Sequence, residues 1–103
     1  MQIIPLADTY SQTLSTTLAG QSCRINAYQR ATGLFLDLYV ADKLVIGGVI
    51  CQNGNLIVRD AYLGFVGDLM FIDNLGKTDP HSPGLGSRYS LCYLEVADLG
   101  GLG

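Results

Sequence analysis

Residues 62–73 read Tyr-Leu-Gly-Phe-Val-Gly-Asp-Leu-Met-Phe-Ile-Asp, large apolar side chains interleaved with two glycines and closed by a carboxylate. Leu69, Met70, Phe71 and Ile72 give continuous apolar area of the kind a pleated core surface needs. Gly64 and Gly67 let the backbone bend or a second surface approach closely. The stretch therefore predicts the core of a sheet. It describes packing and contains no catalytic pattern.

Working outward from it, the chain alternates. Residues 1–6 are apolar, and Pro5 removes a backbone donor, which suits a first strand at a sheet edge. After a turn over 8–11, Leu14, Thr16 and Leu18 share one face. Gly20-Gln21 turns the chain into a second run with Cys23, Ile25 and Ala27 facing in and Arg24, Asn26 and Tyr28 facing out. A turn at Ala31-Thr32-Gly33 leads to Leu34, Leu36, Leu38 and Val40 on one face and Phe35, Asp37 and Tyr39 on the other. The apolar run 44–51 predicts a strand buried on both faces and bent at Gly47-Gly48. Asn53-Gly54 is a strong turn signal, and a further strand is expected to start at 56–58.

Beyond Asp73, residues 74–87 hold Gly76, Asp79-Pro80, Ser82-Pro83, Gly84 and Gly86, and read as a long loop. Loops of that length in a compact domain are often contact surfaces, so this is the first candidate for partner binding. Residues 88–96 form a closing strand with Tyr89, Leu91 and Tyr93 on one face and Ser90, Cys92 and Leu94 on the other. No segment keeps a 3.6-residue apolar period for more than about two turns. The expectation is an all-β fold: a single-domain antiparallel β-sandwich or partly closed β-barrel of about seven or eight strands with little or no helix. The domain would span 1–98, followed by a flexible glycine-rich tail over 99–103.

Composition narrows the function classes. The 103 residues are 49% hydrophobic and only 15% charged, against a usual charged share of about 25%. So bare an exterior implies partly covered surface. The net charge of −3 and the six scattered Lys and Arg argue against nucleic-acid binding, which needs clustered cations. Cys23, Cys51 and Cys92 form no C-x-x-C pair and have only His81 to assist, so neither zinc nor a disulfide framework is indicated. They read as small buried hydrophobes in a reducing compartment. No signal segment or membrane-length apolar run occurs, and no membrane partner is expected. No cofactor or metal is expected either.

Candidate chemistry is sparse. Asp79-Pro80-His81-Ser82 places its polar groups on adjacent positions of a turn, where a base cannot readily be aimed at a nucleophile, and His81 reads as a solvated loop residue. Asp68 and Asp73 could be imagined as an acid–base pair, but strand ends carry Asp for solubility and turn reasons. Gly84-Leu-Gly-Ser-Arg88 resembles an anion cradle yet precedes a strand and lacks a following Lys, so Arg88 is assigned to a carboxylate or to capping carbonyls. The tyrosines at 28, 39, 62, 89 and 93 divide between core edge and partner contact.

The motif Tyr62-Leu-Gly-Phe-Val-Gly-Asp-Leu, followed by Gly84-Leu-Gly-Ser-Arg-Tyr-Ser-Leu-Cys-Tyr-Leu, resembles the baseplate plug family of contractile-tailed bacteriophages, of the cyanophage type. Met1-Gln-Ile-Ile-Pro-Leu, Ser11-Gln-Thr-Leu, Tyr28-Gln-Arg and Leu36-Asp-Leu fit the same layout, so the resemblance spans nearly the whole chain. It implies a non-enzymatic virion protein, assembled in the bacterial host cytoplasm and placed at the axial hub of the baseplate. Its partners would be hub, spike and tail-tube proteins, and it would form a homo-oligomer within a symmetric assembly. From local chemistry the expected contact residues are Tyr28, Arg30, Tyr39, Tyr62, Phe65, His81, Leu85, Arg88, Leu99 and Leu102. The competing class is a stand-alone β-barrel or sandwich that binds a ligand or protein in a bacterial cell.

Overall fold

The computed structural model describes residues 2–59, 65–81, 84–96 and 98. Among these described residues seven strands fill two antiparallel sheets: β1 (Gln2–Ile4), β2 (Ser11–Leu18), β3 (Gln21–Arg30), β4 (Gly33–Val40), β5 (Lys43–Ile50), β6 (Asp68–Asp73) and β7 (Tyr89–Leu94). Helical backbone occurs among the described residues only at Val96 and Asp98. One sheet runs β2-β3-β4-β5, a meander of consecutive hairpins, and the other runs β1-β7-β6. The two lie face to face as an open sandwich, which decides between the sandwich and barrel expectations.

Alternation builds the larger sheet as anticipated. Cys23, Ile25 and Ala27 of β3 and Leu34, Leu36 and Leu38 of β4 are buried, while the residues between them are half-exposed on the outer face. Two-residue turns join the hairpins. Ala19 (φ 50°) and Gly20 (φ 77°) connect β2 to β3, and Ala41 (φ 50°) and Asp42 (φ 64°) connect β4 to β5. Paired positive φ values match the right-handed twist of the flanking strands, although neither alanine is the residue such a turn prefers. Opposite this sheet stand Ile4, Leu69, Phe71, Tyr89, Leu91 and Tyr93, and the connections add Cys51, Ile57, Val58, Phe65 and Leu85 to the same core. Strand β7 is central in its sheet and buried on both faces apart from Ser90.

The structure corrects three expectations. First, the apolar run 44–51 is no doubly buried strand. As β5 it edges the larger sheet, with Ile46 buried but Leu44 58% and Ile50 40% exposed. The expected bend is present: the register shifts between Leu36 and Leu38 of β4, opposite Gly47-Gly48, and again between Leu38 and Tyr39. Second, residues 56–58 form no strand. Leu56 makes one isolated bridge to Met70 and Asn53 one to Phe71, so this connection is a ragged flank along the outer edge of β6. Third, Asp68 and Asp73 are buried at 4% and 6% exposure, which surface solubility cannot explain.

Each of those carboxylates is a local organiser. The Asp68 carboxylate accepts backbone N–H bonds from Ile57 (3.1 Å), Val58 (2.8 Å), Arg59 (2.8 Å) and Leu69 (2.7 Å). Asp73 accepts from Leu75 N–H, from Thr78 N–H and Oγ1, and from the Arg88 guanidinium at 2.8 and 2.9 Å. Bound at both oxygens by Arg88, its carboxyl is held well below the usual carboxylate range. The two lie at opposite ends of β6, about 17 Å apart at strand rise, so they share no cleft.

Candidate assembly surface

The register fixes which outward side chains meet on the exposed face of the larger sheet. Three rows cross it. Ser11, Tyr28, Phe35 and Ile50 form one, Thr13, Asn26, Asp37 and the Gly47-Gly48 bulge a second, and Ser15, Arg24, Tyr39 and Leu44 the third. The face thus grades from hydroxyls on β2, through aromatics and charges on β3 and β4, to aliphatic side chains on β5.

Its middle is held rigidly. Asp37 accepts from the Tyr28 hydroxyl at 3.0 Å, from Gly48 N–H at 2.7 Å and from the Asn26 amide at 3.4 Å, and Asn26 in turn accepts from Thr13 at 2.8 Å. Burial, reinforced by Asp37, raises the Tyr28 pKa, so the phenol stays protonated and donating. Tyr28 stacks on Phe35 with ring centroids 6.1 Å apart, Arg30 lies over the Tyr28 ring at 5.0 Å, and Arg24 lies over Tyr39 at 4.3 Å. Flat arginine–aromatic stacks with few free rotors are the chemistry enriched at protein interfaces. Two shallow depressions share Tyr28 and Arg30, of about 420 Å³ towards Tyr10, Gln12 and Asn26 and about 510 Å³ towards Thr32, Phe35 and Gly48.

Of the ten contact residues expected from sequence, this face brings together Tyr28, Arg30 and Tyr39. Phe65 and Leu85 are corrections: at 3% and 2% exposure they are core residues. Phe65 packs edge-on against Tyr93 at 5.7 Å, so burial removes both from any surface. Arg88 belongs to Asp73, as its pairing with a carboxylate anticipated. His81 is exposed in the long loop, with Nδ1 3.1 Å from the Tyr89 hydroxyl and 3.2 Å from the Asp79 carbonyl. The Asp79 carboxylate instead accepts from Asn53 N–H. Tyr62, Leu99 and Leu102 lie outside the described residues, as does Ser82. Sequence reading missed Phe35, Ile50 and Leu44, which complete the rows; their outward phase was legible for Phe35, but β5 was assigned to the interior.

The cysteines offer no chemistry at this face. All three are free and buried, and burial pushes the Cys51 thiol up to about 12. Among the described residues no group of three or more His, Cys, Asp or Glu stands close enough to hold a metal ion.

The described residues thus form a two-layer β-sandwich with an ordered aromatic outer face. The chain belongs to the family described as "Cyanophage baseplate Pam3 plug gp18", whose family model matches residues 1–96. That family comprises baseplate plug proteins of a phage tail, where association with other baseplate components is implied. No curated protein matches the chain significantly.

Proposed function

We propose that this protein is a structural, non-enzymatic subunit of a contractile phage tail that plugs or completes the axial hub of the baseplate through protein–protein contacts. The observation that carries the reading is the family match over residues 1–96. The outer face of the larger sheet supports it, because Tyr28, Phe35 and Tyr39 with their stacked arginines are ordered before any partner arrives, which lowers the entropy lost on binding. The low charge content agrees, since surface covered permanently in an assembly does not need charges for solubility.

In this reading the subunit is one of several symmetric copies, assembled in the host cytoplasm and contacting hub, spike and tail-tube proteins. The loop over 74–88 and the tail over 99–103 add contacts, the tail on its sequence alone. Quantitative mass spectrometry of purified tails tests the proposal by counting this chain against a tube or sheath protein of known repeat. About three or six copies per tail, as a closed ring on the tail axis requires, supports it. Absence from purified tails overturns it.

A further inference from the structure

The described strands leave the sandwich four sheet edges, and three are protected. Strand β1 is three residues long and followed by Pro5. The edge of β6 is flanked by 53–57, through Gly54 N–H to the Phe71 carbonyl and Ile57 N–H to the Leu69 carbonyl, both 2.9 Å. Strand β5 is bulged twice. Strand β2 has none of these devices. It is eight residues of unbroken register against β3, Ser-Gln-Thr-Leu-Ser-Thr-Thr-Leu, without a charge, proline or bulge, and no other described strand pairs with its far side. Natural sheets rarely leave such an edge bare.

The hydrogen-bond phase shows which groups the edge offers. Gln29 N–H donates to the Tyr10 carbonyl at 2.7 Å, one step beyond the ladder, so even-numbered residues of β2 bond to β3. Ser11, Thr13, Ser15 and Thr17 therefore turn their backbone N–H and C=O groups outward, where the Ser11 carbonyl already accepts from Thr9 Oγ1 at 3.1 Å and keeps one lone pair for a partner strand. On the inner face, Leu14 and Thr16 are only half-buried.

We propose that β2 pairs antiparallel with β2 of a second copy of this chain about a twofold axis at Leu14, joining two four-stranded sheets into one of eight. The strand is self-complementary. With Leu14 on the axis, Ser11 meets Thr17 and Thr13 meets Ser15 of the other copy, hydroxyl against hydroxyl on the outer face, through all four outward-turned residues. No charge meets its like. Inside, Leu14 meets Leu14 at a non-hydrogen-bonded site, where side chains approach most closely, and the half-covered apolar surface is closed. A second copy is favoured over head-to-tail pairing with β5, because the bulges at that edge break the register such pairing needs.

The test uses the purified full chain and does not depend on the baseplate reading, in which six copies would stand as three such pairs and three copies could not all be paired. Leu14→Cys, oxidised with glutathione disulfide, should form a covalent dimer at least about tenfold faster than Leu44→Cys, since pairing raises the effective concentration of the two thiols. The comparison is stringent, because Leu44 on β5 is 58% exposed and random collision would favour it; the native thiols are buried. Ser15→Pro removes only an outward N–H, a place where edge strands tolerate proline, and added to Leu14→Cys it should abolish the excess. In parallel, sedimentation equilibrium of the unmodified protein should show mass rising towards dimer with concentration, and Ser15→Pro should stay monomeric. Equal cross-linking rates for Leu14→Cys and Leu44→Cys, or an unmodified protein that remains monomeric at the highest concentration reached, would overturn the proposal.

Discussion

Replacing Asp68 by Asn should destabilise the fold far more than its isosteric shape implies. One Asp68 oxygen accepts from Ile57, Val58 and Leu69, and the other from Arg59. An amide can keep its oxygen on the first three, but its NH2 group then faces the Arg59 N–H, donor against donor. Bonds to a charged acceptor are each worth about 1.5–3 kcal/mol and neutral ones about 1 kcal/mol. Losing one and weakening three gives a gross loss of about 4 kcal/mol, of which relief of carboxylate desolvation returns about 1–2 kcal/mol. The net is about 2–3 kcal/mol. In a domain of this size that lowers Tm by roughly 10–20 °C. Urea unfolding followed by tyrosine fluorescence measures the midpoint, and an unchanged slope would show that only stability moved. Asp68→Ala should cost more, because four N–H groups are left facing a gap. If Asp68→Asn shifted stability by under about 0.5 kcal/mol, the capping argument would be wrong and residues 56–59 would be held by packing alone.

Two further outcomes follow from the same geometry. The Asp73 carboxyl is depressed by Arg88, so its contribution is complete above the ordinary carboxylate pKa and fades as pH falls below about 4; Asp73→Asn should be less stable at pH 7 and lose part of the acid-dependence seen in thermal melts between pH 5 and 2, whereas an unchanged profile would refute the assignment. Ala19 sits at φ 50° beside Gly20, and Ala19→Asn, which creates the favoured Asn-Gly turn, should raise stability by about 0.5–1 kcal/mol in urea unfolding, while a loss would show that the turn is not of the expected type.

The period-2 alternation of residues 12–40 placed β2, β3 and β4 and their inward faces, since each side chain's phase depends only on its neighbours in the chain. The Asn-Gly turn and the long loop after Asp73 were equally local, as were the outward phases of Tyr28, Phe35 and Tyr39. Three things were not legible. An uninterrupted apolar run states that a strand has little polar surface, not whether a neighbour sheet covers it, and so 44–51 was assigned to the interior when it edges a sheet. Residues 56–58 have strand-like side chains, but Asp68 captures the N–H groups of Ile57, Val58 and Arg59 from ten or so positions away, a contact that no local pattern announces. Local chemistry places Phe65 and Leu85 among the contact residues, but the packing of the two sheets buries both in the core. Local pattern alone therefore specifies an all-β chain, its hairpins and the inner and outer phase of the central strands. Which edges are covered, where the carboxylates lie and which aromatics converge are set by long-range packing, because those depend on contacts between residues distant in the chain.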